Sequence, residues 1–139
     1  QRTGDGHLYN AYHVLRGGRV VARTRKHELP NYNVFDEVRH FSAGPLSGPF
    51  DAGGVRIGLP ICEDAWFSDV SEAMVESGAE ILVVANGSPY FRGKFPIRMN
   101  QMVARVTENG VPLVYLNMVG GQDDQAFDGG SFVLNRGAQ

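Results

Sequence analysis

Cys62 is the single thiol in the chain, and its neighbours give it a reason to be reactive. It ends the run Val55-Arg56-Ile57-Gly58-Leu59-Pro60-Ile61 and precedes Glu63-Asp64-Ala65-Trp66. A strand followed by a helix puts the sulfur at a strand end beside unpaired helix amides. Such amides favour a thiolate and stabilise the oxyanion formed when a carbonyl is attacked. A lone cysteine is also commonly a small buried hydrophobe, although an acidic pair rarely follows an ordinary core position. Lys26 is the second group. Arg25, His27 and Glu28 around it fit a solvated charge cluster. A lysine at a strand end can instead enter a pocket, hold a developing oxyanion and lower a thiol pKa. Glu37 lies in Phe35-Asp36-Glu37-Val38-Arg39-His40-Phe41, where the aromatics imply partial burial. A buried carboxylate needs a partner, and it would orient a cation.

Other chemistries are less well served. None of His7, His13, His27 and His40 has a spacing that identifies a Cys-His dyad, and Gly53-Gly54 lacks the ordered GxxxxGK[ST] pattern of a phosphate loop. One cysteine allows neither an internal disulfide nor a multi-Cys metal site, so no metal is expected, and a reducing, cytoplasmic setting is the plain inference. Thirteen Lys and Arg against 15 Asp and Glu give a formal net charge of -2. That balance offers no positive field to a nucleic acid or an anionic membrane. Arg23-Thr24-Arg25-Lys26 and Arg92-Gly93-Lys94 are too short to reverse it. No apolar run approaches the roughly 18 to 20 residues needed to cross a bilayer.

The elements that must position these groups are legible in outline. Leu8 to Leu15 reads as a strand, Gly17-Gly18 as a tight turn and Arg19 to Thr24 as the returning strand. Lys26 follows directly. Asp36 to Gly53 is loop-rich, punctuated by Gly-Pro and Gly-Gly pairs. Val55 to Ile61 is a short apolar strand. Trp66 to Ser77 is helical, with Val70, Ala73, Met74 and Ser77 on one face, Ser68 as a cap and Gly78 just past the end. Ile81 to Ala85 is a buried strand, and Pro96 to Asn109 a helix with Met99, Met102, Val103 and Val106 as its stripe. Val111 to Met118 and Ser131 to Leu134 are strands joined by a polar loop around Gly120 to Gly130. Apolar strands alternating with helices give a helix-covered α/β sheet. The chain has no repeat or linker, and its 139 residues fit one domain.

With these residues in view, the sequence resembles the nitrilase superfamily, and within it the glutaminase domains joined to NAD synthetases. The resemblance is carried by Tyr9-Asn10-Ala11-Tyr12, the block from Arg25 to Glu37, Leu59-Pro60-Ile61-Cys62-Glu63-Asp64-Ala65-Trp66, Ala85-Asn86-Gly87-Ser88-Pro89-Tyr90 and Arg92-Gly93-Lys94. It implies part of a four-layer αββα sandwich, with the first strand and helix lying upstream of Gln1. Residues 1–139 would then be an incomplete glutaminase domain, without the ATP-dependent synthetase domain. The resemblance also implies a Glu-Lys-Cys triad, with Cys62 as nucleophile and Lys26 on the oxyanion side. Glu37 would be the further acid that supports the lysine and the pocket. The general-base glutamate of such domains lies far ahead of the lysine block, and Asp5, the one acid preceding Lys26, does not match it. Tyr32 and Trp66 resemble pocket residues, and the amide near Glu63 an oxyanion donor. Ser88 and Arg92 resemble the groups that hold the amino-acid part of glutamine. Arg92 serves equally as a surface charge, and Asn86 equally as a turn residue.

No cofactor is implied for this domain; ATP and Mg belong to the synthetase domain. Implied partners are glutamine, that synthetase domain and further copies of the chain. Hydrolysis of another small amide or carbamoyl compound stays open, as does a structural, non-catalytic role.

Overall fold

Gly17 and Gly18 take positive φ (56° and 74°) and join β1 (Ala11–Arg16) to β2 (Arg19–Arg25) as an antiparallel ribbon. Positive φ at both turn positions matches the right-handed twist of the flanking strands, and glycine adopts it without a Cβ penalty. The computed structural model describes residues 1–138. β1 begins at Ala11, later than the hydrophobic run predicts, because Leu8 bridges Arg2 and takes the Ser42 amide instead.

The main sheet has the order β3-β4-β5-β6-β9, built from β3 (Phe50–Asp51), β4 (Arg56–Gly58), β5 (Ile81–Asn86), β6 (Leu113–Asn117) and β9 (Phe132–Leu134). Its centre is parallel, with Gly58 opposite Leu82 and Val84 opposite Tyr115, while β3 and β9 flank it antiparallel. Two crossover helices connect the parallel strands, α2 (Ser68–Glu76) and α3 (Lys94–Asn109). Parallel strands need such crossovers, and a helix buries its apolar stripe by lying back on the sheet. Val70 and Met74 of α2 and Met102 and Val106 of α3 pack with Leu82, Val84, Leu113, Tyr115 and Leu134 in one buried cluster. Each apolar side chain so buried contributes roughly 1.5–3 kcal/mol. Gly58 lets α2 approach: a Cβ there would lie 2.7 Å from Leu82 Cδ2 and 3.2 Å from Met74 Sδ.

Several expectations are corrected. Ser68 is the first helical residue rather than the cap; Phe67 holds the cap position and makes no side-chain cap bond. Ser77 is exposed, whereas Ser71 is buried. Gly78 does follow the helix end in a left-handed conformation (φ 98°). α3 starts two residues before Pro96, which fits because a proline in the first turn removes an amide that has no intrahelical partner. The loop-rich stretch after Asp36 contains one helical turn, α1 (Glu37–His40), as well as β3. The expected loop at 120–130 is a second ribbon, β7 (Val119–Gln122) with β8 (Gln125–Asp128).

The helices cover the face of the main sheet that carries Leu82, Val84 and Tyr115. By strand alternation the opposite face carries Val83, Val114, Leu116 and Val133, of which Leu116 and Val133 are exposed. The described residues thus hold one helix layer, one main sheet and two ribbons of the sandwich.

Candidate active site

The functional groups gather at the C-terminal ends of the parallel strands, where ligand crevices of α/β sheets form. Past Pro60, Ile61 bridges parallel to Ala85 and carries the chain on along β5. Cys62 then turns with φ 51° and opens a single 3-10 turn, Cys62–Ala65. A non-glycine residue at positive φ is uncommon, and such strain collects at functional sites. A sharp strand-to-helix bend projects a side chain outward, as nucleophile elbows do in other hydrolases. The long helix expected directly after the thiol is absent; α2 begins six residues later, at Ser68.

Asp64 holds this bend. It is fully buried, and its Oδ2 accepts from the Ile61 amide at 3.0 Å. Its Oδ1 accepts from the amides of His27 (3.0 Å) and Glu28 (2.8 Å). One carboxylate therefore stitches the cysteine block to the lysine block. Burial pushes its pKa up, and the three amides and the Lys26 ammonium oppose that shift.

Lys26 directly follows β2, where its amide donates to Asn10 O (2.8 Å) and its carbonyl accepts from Gly44 N (2.7 Å). The side chain is buried at 1% exposure, and Nζ donates to Glu37 Oε1 at 2.6 Å. A buried ammonium requires such a partner. Glu37 sits in the first turn of α1, anchored by its own amide to Pro30 O (3.1 Å). Lys26, Glu37 and Cys62 line one cavity of about 370 Å³, together with Tyr12, Phe35 and Asn86. Burial pushes the Cys62 thiol pKa up; Lys26 and the Glu63 amide pull it down, while the Glu63 and Glu37 carboxylates add to the rise. Against expectation, Lys26 does not outweigh burial, so the thiol needs a base.

A second cavity of about 230 Å³ adjoins the first at Phe35, which lines both, and is bounded by Tyr32, Phe91 and Lys94. Tyr32 donates its hydroxyl to Glu63 Oε2 at 2.7 Å. Its pKa is pushed up by burial first and by that carboxylate second. Lys94 Nζ lies 4.6 Å from the Trp66 ring centroid and 4.8 Å from that of Phe91, within cation–π range. Burial and the Arg98 charge push the Lys94 pKa down, while Cys62 and Glu63 pull it up, so this ammonium stands in the field of the reactive group.

Ser88 is buried just beyond β5. Its Oγ accepts from Arg98 Nε (3.2 Å), and its carbonyl accepts from Arg98 Nη2 (2.7 Å). Arg98, fully buried on α3, also pairs with Asp128 at 2.8 Å and so fastens β8 to this loop. Arg92 is exposed and lines neither cavity; the structure does not bring it to Cys62. Sequence reasoning passed over Asp64, Lys94 and Arg98. The signal for Lys94 was Gly93, whose positive φ (83°) redirects the chain between the two cations. Among the described residues, His27, Glu28 and Asp69 place donor atoms within 4.8 Å of one another and could hold a cation. His27 already commits Nδ1 to Gly44 O, and Asp69 is exposed.

Residues 1–136 match the carbon-nitrogen hydrolase family model. The chain belongs to the carbon-nitrogen hydrolase family. It is 60% identical over 127 residues to the glutamine-dependent NAD(+) synthetase of Rhodobacter capsulatus, covering 91% of this chain and 23% of that protein. The glutamine-dependent NAD+ synthetase of Acinetobacter baumannii, solved with ADP, superposes with a TM-score of 0.94 at 38% identity, over 100% of this chain and 26% of that one. An amidase from Nesterenkonia sp., in which acrylamide has added to the active-site cysteine, gives a TM-score of 0.73 at 28% identity, over 88% and 46%. The chain spans about a quarter of the length of the NAD synthetases it matches. Among the described residues no helix is long and apolar enough to cross a membrane.

Proposed function

We propose that the chain is the glutamine-hydrolysing unit of a glutamine-dependent NAD synthetase, acting through a thioester on Cys62. The observation that carries this reading is the cavity shared by the Cys62 thiol and the Lys26–Glu37 pair. Its family membership supplies the reaction class, and the relatives' names supply the nitrogen donor.

The thiol is buried and held protonated, so attack begins with a proton transfer. Asp5 is exposed and bonded to Thr3, which leaves the base role to the glutamate that the family resemblance places ahead of Gln1 in the parent protein. The thiolate attacks the side-chain amide of glutamine. Negative charge gathers on the former carbonyl oxygen, and Lys26 and the amide near Glu63 stabilise it there. The carbon–nitrogen bond breaks, the nitrogen leaves as ammonia with the proton taken from sulfur, and water then cleaves the glutamyl thioester. Glu37 holds Lys26 in position by the 2.6 Å bond.

The adjoining cavity suits the amino-acid end of the substrate. Glu63 offers a carboxylate to the α-ammonium, and Lys94, rather than Arg92, offers a cation to the α-carboxylate. Ammonia passes to a synthetase domain, where ATP and Mg serve the amidation of nicotinic acid adenine dinucleotide. The setting is cytoplasmic, and copies of the chain associate.

A second reading, hydrolysis of another small amide, draws on the likeness to the Nesterenkonia amidase. The rim of Glu63, Tyr32 and Lys94 favours the amino-acid substrate. In the full-length protein, glutamine turnover should vanish in Cys62→Ala, and a glutamine-like electrophile should map to Cys62. Turnover of small amides with none of glutamine overturns the glutamine assignment. A label elsewhere, with activity lost, overturns the nucleophile. Lys94→Met should raise KM for glutamine about tenfold or more, with a smaller change for acetamide, while Arg92→Met leaves both near wild type. The 139-residue chain alone should show little turnover.

A further inference from the structure

Asn86 ends β5 at the cavity wall, and its two amide hydrogens are committed to the sheet. Nδ2 donates to Val84 O at 3.0 Å and to Leu116 O at 2.9 Å. Those bonds fix the plane of the side-chain amide and leave Oδ1 as the atom free to meet a ligand. That oxygen is buried and has no hydrogen-bond partner. Glu37, also on the cavity wall, repeats the pattern: Oε1 takes the Lys26 ammonium, while Oε2 is buried without a donor. Five buried side-chain polar atoms lack a partner among the described residues, and the two on cavity-lining residues are these oxygens.

A buried acceptor without a donor costs roughly 1–3 kcal/mol, and folded proteins rarely keep one without a use. Both oxygens are acceptors, so the ligand that completes them must donate twice. A primary carboxamide has two N–H hydrogens in one plane, and its carbonyl oxygen is left to face the Lys26 ammonium. An ester or a carboxylate has no N–H to give.

We propose that Asn86 is a specificity-determining residue. Its Oδ1 accepts one N–H of the scissile carboxamide and Glu37 Oε2 accepts the other, so the cavity selects primary amides over esters. This deepens the glutaminase reading above and rests on it. A site built to pair with substrate hydrogens rejects the analogue that lacks them, because its own buried groups are then left unpaired.

The test uses the full-length protein and compares kcat/KM for glutamine with that for the γ-methyl ester of glutamate. The ratio is independent of the fraction of active molecules, so partial misfolding does not move it. Asn86→Ala should lower the amide-to-ester ratio about tenfold or more. Asn86→Asp keeps an acceptor oxygen and should hold the ratio within about threefold of wild type. Asn86→Ser, which keeps a hydroxyl for the sheet carbonyls, gives the same readout as alanine where alanine fails to fold. Equal losses on both substrates, or an Asp variant that behaves like alanine, would overturn the assignment. Wild-type protein with no Cys62-dependent turnover of either substrate would overturn the glutaminase reading, and the Asn86 assignment with it.

Discussion

Burial and charge compete at the Cys62 sulfur, and burial wins. Its folded pKa therefore lies above its unfolded value. The stability linked to this proton is present below the unfolded pKa and is lost as pH rises through the folded one. Iodoacetamide labelling of Cys62 in the folded 139-residue chain should accordingly have a higher pH midpoint than in the denatured chain. Lys26→Met should raise it further, because the one side-chain charge that lowers the pKa is gone. A folded midpoint below the denatured one would contradict the balance described here. Asp64 makes a sharper case. In Asp64→Asn, Oδ1 can still accept from His27 and Glu28, but Nδ2 would point a donor at the Ile61 amide. Equilibrium denaturation should show a loss of about 1–3 kcal/mol. Cys62, Lys26 and Glu37 stood out in the sequence because their types and flanking residues speak for buried chemistry. Asp64 did not, because its partners at His27 and Glu28 lie 37 and 36 residues away and only folding brings them together.

At the level of elements, the β2 end and the segment 42–44 run side by side so tightly that Gly44 has no room for a side chain. A Cβ there would collide with Arg25 Cβ and lie 2.8 Å from the Arg25 carbonyl oxygen. Gly44→Ala should destabilise by about 1–3 kcal/mol and slow any Lys26-dependent reaction, since backbone must shift to relieve the clash. Thermal melts beside a Gly48→Ala control, where the added atom would meet only Ser77 at 3.6 Å or beyond, would measure this. Arg98 fastens the β5–α3 loop to β8, and Arg98→Met should lose roughly 2–4 kcal/mol by leaving Ser88 O and Pro89 O without their donor. The first ribbon, β5 and α3 were legible because Gly-Gly, an unbroken apolar run and a 3.6-residue stripe are local signals. The β7–β8 ribbon was not. Val119-Gly120-Gly121-Gln122 has no alternation, and its pairing is steadied by remote contacts: Arg98 to Asp128, and the Tyr90 amide to Ala126 O at 2.7 Å.

Across the whole molecule, the buried apolar cluster is confined to α2, α3, the main sheet and their short connections. The ribbons contribute little to it, and all four residues of β7 are exposed. Hydrogen exchange should therefore be slowest at β5, β6 and α3 and fastest in the β1–β2 and β7–β8 ribbons, because opening free energy follows buried contacts. Mass-spectrometric exchange that found β7 as protected as β5 would refute this. The α/β class could be read from apolar strands alternating with helices, but the open face of the sheet could not, since alternation says which residues share a face and not what covers it. The Asp64 tether has a further consequence. One carboxylate takes the amides of both the lysine strand and the cysteine bend, so a half-collapsed chain has the two reactive partners adrift from each other. Newly made protein is thereby chemically mute until its last seam closes, which spares the cell a promiscuous thiol looking for acyl groups during synthesis.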